Sequence, residues 1–202
     1  MKSVCLLPYC PVPVNSGARA VFRKHLNVLN DLGECAVLST ARRPVGFGWS
    51  PEAVDELGSE GIAVQFGSKG LQTRFLGVYG ILYAALLKML RAEKAFGHSN
   101  PYHRYAFDPE WMNNITKDKG LCEIHYSYWA RLPVQCPKIV VVHDLWSDIM
   151  WEGDTRETEE LKQADLIVTV SKFDHDKLIK RGVTNVLWSP PVVKQQECLD
   201  SD

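Results

Sequence analysis

KIVVVHD (138–144) and ADLIVTVS (164–171) each carry an unbroken run of apolar, mostly β-branched residues. A strand with one wet face alternates apolar and polar side chains, whereas a strand buried on both faces does not. The two runs therefore predict strands of a parallel sheet covered by helices. Shorter runs of the same kind are VCLL (4–7), CAVLS (35–39), IAVQF (62–66), LCEIHY (121–126) and NVLW (185–188). Helical patterns fall between them at 18–32, 52–60, 71–96, 155–164 and 172–181. Such alternation predicts a doubly wound α/β domain, whose ligands sit at the carboxyl ends of the strands.

The segment 18–32 places Val21, Phe22, Leu26, Val28, Leu29 and Leu32 close to one face of a 3.6-residue period. It stops at Gly33, a suitable residue just past a helix end. Ser171, with Asp174 three residues on, reads as the cap of the 172–181 helix. The run FLGVYGILYAALL (75–87) has thirteen residues, against about 20 needed to span a bilayer. Arg74, Lys88 and Arg91 flank it, so two readings stand: a helix packed on the sheet, or one lying on a membrane surface.

A length of 202 residues with 46% hydrophobic and 23% charged residues suits a globular domain with a real core. Residues 1–193 are expected to form it, with 194–202 a polar tail. The net charge of -1 and the lack of a basic stripe argue against nucleic acid as a partner. The N-terminal apolar run is broken by Pro8 and is too short for the core of a signal peptide. The six cysteines are scattered, with no C-x-x-C pair. That pattern predicts reduced thiols and a cytoplasmic location, not a metal centre or a disulfide framework.

His143-Asp144 follows the KIVVV strand directly, which places both at the carboxyl edge of the sheet. A histidine there can act as a base or hydrogen-bond a hydroxyl, or it can be satisfied by a neighbouring carbonyl. His125 ends another strand beside Tyr126, Tyr128 and Trp129, aromatics that can line a crevice or fill a core. DLWSDIMWEGD (144–154) is a candidate recognition segment or a solvated acidic loop. Asp174 and Asp176 lie in a helix and project in different directions, and Glu152 and Asp154 end no strand, so neither pair predicts a metal site. No G-x-G-x-x-G follows the first strand and no Walker A sequence occurs, which argues against dehydrogenases and P-loop enzymes.

In chain order, LLPYCPVPVNSGARAVFRKHLNVLNDLGECAVLST (6–40), IVVVHDLW (139–146) and ADLIVTVSKFDHDKLIKRGVTNVLWSPPVV (164–193) resemble the N-terminal half of a GT-B glycosyltransferase. They are most similar to glycosyltransferase family 4, and the likeness is weak across 67–120. The resemblance implies a Rossmann-like domain that binds the acceptor, facing a second domain that binds the nucleotide-sugar donor. It implies that a sugar passes to a hydroxyl of a sugar or lipid-linked acceptor, with no metal and no cofactor beyond the donor substrate. His143 matches the histidine that lines the family's catalytic cleft, and Ser16-Gly17 matches its small-residue turn. Arg19 is a candidate anion contact. Asp144, His125 and Trp146 are candidate acceptor contacts. The family's donor half, with its paired glutamates, is not matched in these residues, so activity is expected to need a donor-binding domain or subunit in cis or in trans.

Departures from the family pattern are Gly17-Ala18 in place of Gly-Gly, Gly33-Glu34-Cys35-Ala36-Val37 in place of G-H-x-V, and Pro190-Pro191 in place of an Asn-Gly turn. A second reading stays open, a non-catalytic α/β module that binds a carbohydrate or a partner protein. Residues 71–96 remain a candidate for peripheral membrane contact. The loop PYCPVPVNSGARA (8–20) has three prolines where nucleotide folds carry glycines. Its prolines restrict the backbone, so it reads as the fixed wall of a cleft.

Overall fold

A computed structural model describes residues 1–14, 16–39, 49–67, 82, 107–145 and 155–190. Seven parallel strands form one sheet: β1 (Ser3–Leu6), β2 (Cys35–Ser39), β3 (Ala63–Phe66), β4 (Leu121–His125), β5 (Lys138–Val142), β6 (Leu166–Thr169) and β7 (Val186–Trp188). Their order across the sheet is β3-β2-β1-β4-β5-β6-β7. The chain winds outward from β1 to β3, returns to pair β4 with β1, and winds outward again to β7. Crossovers between parallel strands are right-handed, so reversing the direction of winding moves the helices to the opposite face.

The packing follows that rule. Helices α1 (Gly17–Asp31) and α2 (Pro51–Ser59) place Phe22, Leu26, Leu29 and Leu57 against Cys5, Leu7 and Val37. Helices α3 (Pro109–Thr116), α4 (Arg156–Leu161) and α5 (Lys172–Lys180) cover the other face, where Met112, Leu161 and Leu178 meet Val4, Leu6, Ile124, Val140 and Ile167. The unbroken apolar runs of β5 and β6 are explained directly: both faces are roofed. The architecture is α/β with an all-parallel sheet, Rossmann-like and doubly wound, as the alternation of elements predicts.

Differences are local. Val28 and Leu32 lie outside the buried stripe of α1 and are 51% and 56% exposed. Val28 is one residue before Leu29, about 100° around the helix from it, and Leu32 is the cap beyond the last turn. Helix α4 is shorter than the pattern at 155–164. Helix α3 is not predicted from the sequence, yet its start obeys simple rules: the Asp108 carboxylate accepts from the N–H groups of Glu110 and Trp111, and Pro109 occupies the first turn, where no intrahelical donor is needed.

Ser171 caps α5 as expected, its hydroxyl accepting from Asp174 N–H. Gly33 has φ +143°, and a Cβ there would meet the Met1 backbone at 2.3 Å. The predicted 71–96 segment lies outside the described residues except for Leu82, and Trp146, Glu152, Asp154 and the 194–202 tail lie outside them too. Among the described residues no helix is long and apolar enough to cross a membrane.

Phe22 is fully buried and Val28 half exposed on the same helix, which makes them a matched pair. Phe22→Ala should lower the unfolding free energy by about 3–5 kcal/mol in urea titrations. Val28→Ala should change it by no more than about 0.5 kcal/mol.

Candidate functional site

The strand order reverses between β1 and β4, and at that point a parallel sheet splays its outgoing loops apart. A cleft of about 300 Å³ lies there, at the carboxyl ends of the strands. Helix α1 supplies one wall through Gly17, Ala18, Val21, Lys24 and His25. Tyr126 follows β4, His143 and Asp144 follow β5, Val170 follows β6, and Ser189 and Pro190 follow β7. Five segments distant in sequence thus meet because each leaves the same edge of the sheet.

The proline loop enters this wall as a braced segment. Val12–Pro13 is a cis peptide, Val12 N–H donates to Cys10 Sγ, and Arg19 Nη1 donates to the Pro13 carbonyl at 3.2 Å. Ser16 caps α1 by accepting from Arg19 N–H at 3.4 Å. A Cβ added at Gly17 would meet nothing within 4 Å. Among the described residues no neighbour therefore demands glycine at this position, which faces the cleft.

Behind the cleft a row of polar side chains crosses the face of the sheet under α1. In a strand, residues two apart share a face, so Glu123 and His125 both point toward α1. Register carries the row sideways: Cys5 is opposite Glu123, and His125 is opposite Val141, two residues before His143. Glu123 Oε1 lies 2.9 Å from His125 Nε2, and Oε2 lies 3.1 Å from His25 Nδ1. His125 Nδ1 lies 3.0 Å from His143 Nε2. Phe22 presses its edge on both imidazoles, at centroid distances of 4.8 and 5.1 Å. Tyr126 stacks on His143 at 4.7 Å, and its hydroxyl is hydrogen-bonded to that of Tyr9.

Burial sets the charge states. It would raise the Glu123 carboxyl, but hydrogen bonds from His125 and His25, and their attraction, outweigh it and hold the group well below the usual carboxylate range. Burial pushes His125 below its ordinary value, against the pull of Glu123. Burial also lowers His143 to about 3, with His125 and His25 adding to the effect. At neutral pH the row is thus one carboxylate and neutral imidazoles at His125 and His143. Tyr126 holds φ at +78°, a conformation that is rare for a residue with a side chain. Its N–H donates to Val141 O at 2.8 Å, which fixes the ring over His143.

Of the sequence-predicted residues, Gly17, His143 and Asp144 line the cleft. His125 lies behind it, fully buried and joined to His143. Ser16 acts as a cap, and Arg19 braces the proline loop; neither is among the residues lining the cleft. Trp129 fills the core. Glu123, His25 and Lys24 escape the sequence reading. The signal for Glu123 was present: a lone acid in LCEIH, two residues from a histidine, in a strand predicted to be buried.

The donor atoms of Cys5, Glu123 and His125 lie within 4.8 Å of one another. Each is already engaged, since Cys5 Sγ is 3.7 Å from the Glu123 oxygen that His125 also meets. Burial pushes the Cys5 thiol up, away from the thiolate a metal requires. The three groups therefore form a hydrogen-bonded cluster. All five described cysteines are free thiols.

Neither the protein-family models nor the curated proteins compared with this chain match it.

The charge states fix how stability follows pH. The unfolded chain takes protons on His125 and His143 near pH 6.5, whereas the folded chain resists them, His143 down to about 3. Unfolding therefore takes up protons as the pH falls below 6.5; His143 alone lowers stability by about 1.4 kcal/mol per pH unit between its unfolded and folded values, and His125 acts in the same direction. Glu123 adds a loss in the same direction below the unfolded carboxyl value of 4.5, as the pH approaches its depressed folded value. Urea midpoints measured from pH 7 to pH 4 should fall steadily, and His143→Gln should flatten the slope by about one proton's worth.

Proposed function

We propose that this chain is the acceptor-binding half of a GT-B glycosyltransferase similar to family 4, with the cleft holding the hydroxyl that receives the sugar. The observation that carries this reading is His143, a neutral imidazole on the wall of a cleft at the switch point of a doubly wound sheet. The family resemblance of its HD dipeptide and of the Ser16-Gly17 turn supports it. Tyr126 and Val21 offer apolar surface to a sugar face, while Asp144 and Lys24 offer polar contacts at the rim.

In such a transfer the acceptor oxygen bonds to the anomeric carbon as the bond from that carbon to the nucleoside diphosphate breaks, and the acceptor loses its proton. A ring held at about 3 is a poor resting place for that proton. A phosphate oxygen on the departing diphosphate, by analogy with a phosphate second pKa of about 6, is a better one. His143 then orients the incoming hydroxyl by accepting its hydrogen bond. As the oxygen bonds to the anomeric carbon, that same single proton passes from the imidazole contact to a phosphate oxygen of the departing diphosphate.

The donor half, supplied in cis or in trans, would bind the nucleotide, and no metal enters the scheme. Helix N-termini and basic side chains can meet the diphosphate charge. Exposed apolar residues near the cleft side of the sheet, Leu187 and Trp188 on the edge strand β7 and Phe173 on α5, give a donor half a surface to cover.

In enzyme assembled with a donor half, His143→Ala should lower turnover by about 10² while the chain stays folded, as expected when a reactant loses its orientation. Unchanged turnover would refute the role. In the chain alone, Gly17→Val should fold normally, because its Cβ meets no protein atom. It should also abolish the shifts that acceptor sugars cause in the Tyr126 and His143 resonances. A nucleotide-sugar that binds this cleft with the donor half absent would overturn the division of labour.

A further inference from the structure

The row behind the cleft has a direction. Glu123, as a carboxylate, can only accept hydrogen bonds. His125 Nε2, 2.9 Å from Oε1, must therefore carry a proton and donate it. A neutral imidazole bears one proton, so His125 Nδ1 is bare and accepts. The atom 3.0 Å from it, His143 Nε2, must then be the donor. His143 is neutral as well, which leaves its Nδ1 bare. Among the described residues that nitrogen has no hydrogen-bond partner. The buried, unpartnered side-chain nitrogens and oxygens comprise Arg23 Nη1 alone, so His143 Nδ1 is not sealed in the core.

We propose that Glu123 is a positioning residue: acting through His125, it locks His143 in the Nε2–H tautomer and presents a bare Nδ1 to the cleft as an acceptor for a ligand hydroxyl. The inference rests on reading His143 as the group that meets the acceptor, and it names the chemistry of the contact. The cleft takes a donor of a hydrogen bond at this point, such as a sugar hydroxyl. A carbonyl or phosphate oxygen would meet lone pair against lone pair.

The neighbours are consistent with this direction. From β1 the Cys5 thiol can only add a proton toward Glu123 Oε1, at 3.7 Å. From α1, His25 Nδ1 faces the other oxygen. Tyr126 contributes a stacked ring, and its hydroxyl is directed to Tyr9. Asp144 lines the cleft and is exposed, so it stands outside the row. Both oxygens of the carboxylate are thus engaged, and the direction of the chain follows from His125 meeting Glu123 through Nε2 and His143 through Nδ1.

The test needs neither donor nor acceptor, so its failure is separable from failure of the sugar-transfer reading. Protein labelled with ¹⁵N-histidine, recorded at neutral pH, should show both His125 and His143 protonated at Nε2 and bare at Nδ1. A through-hydrogen-bond N–N coupling should link His143 Nε2 to His125 Nδ1. The opposite tautomer at His143, as would follow if a metal held His125 Nε2, or a charged imidazolium, overturns the proposal.

Glu123→Leu keeps the volume and removes the acceptor. In this variant either nitrogen of the His125–His143 pair can carry the shared proton, and His143 should become a mixture of tautomers. If Glu123→Leu folds and the His143 tautomer is unchanged, Glu123 is not the positioning residue. If it does not fold, His125→Phe gives the same reading, with loss of the single tautomer expected and its retention counting against the relay.

Discussion

One buried carboxylate organises the centre of this molecule. Glu123 sits in the middle of a parallel sheet, under α1, in a position where its strand neighbours are apolar. Removing a charge from water costs several kcal/mol even after relaxation, and the cost is offset only when each lone pair is met in good geometry. Here one oxygen faces His125 and the Cys5 thiol, and the other faces His25. Those partners come from β4, β1 and α1, so the carboxylate ties the two central strands to the helix that walls the cleft. An apolar residue of the same size would fill the space but leave the buried His125 Nε2 without its acceptor. What it could not do is impose a proton direction on the imidazole beyond His125.

Placement of the cleft follows from a different constraint, the handedness of crossovers. Because β1 leads outward one way and β4 the other, their exits diverge and leave a gap that none of the described loops fills. A small ligand can enter there without disturbing the core. Helix α1 forms one wall, and the ends of β4 through β7 form the other. His143 is polar, but it is reached from the cleft on one side and anchored from the core on the other. Tyr126, held at a positive φ over the ring, closes the remaining side.

The fold was legible because its signals are additive along the chain. Unbroken β-branched runs gave β5 and β6, and periodicity gave the buried stripe Val21, Phe22, Leu26 and Leu29. Short turns then placed each run within a residue or two of its true bounds. Helix α3 was lost because the segment before it offers no strand-helix alternation to frame it, although the Asp108-Pro109 start was readable on its own. In the site, position at a strand end sufficed for His143 and Asp144, since topology alone decides what lies at the carboxyl edge. Arg19 shows what a sequence does not display: a long side chain near a cleft can turn back to brace its own loop. Partnerships such as His25 with Glu123, 98 residues apart in sequence, depend on strand order and register, which one sequence does not display.

The same distinction explains why the loop PYCPVPVNSGARA is stiff. A glycine-rich loop earns its flexibility by wrapping backbone N–H groups around a phosphate. This loop spends its contacts inward instead, on Cys10, the Pro13 carbonyl and the Arg19 guanidinium. Of its described residues Gly17, Ala18 and Ala20 line the cleft, all with the smallest side chains available. A wall of that kind sets how near a ligand can come to His143. On the proposed reading, recognition combines a bare imidazole nitrogen and an aromatic ring with the rim groups Lys24 and Asp144. That combination suits an uncharged, hydroxyl-bearing molecule better than a nucleotide.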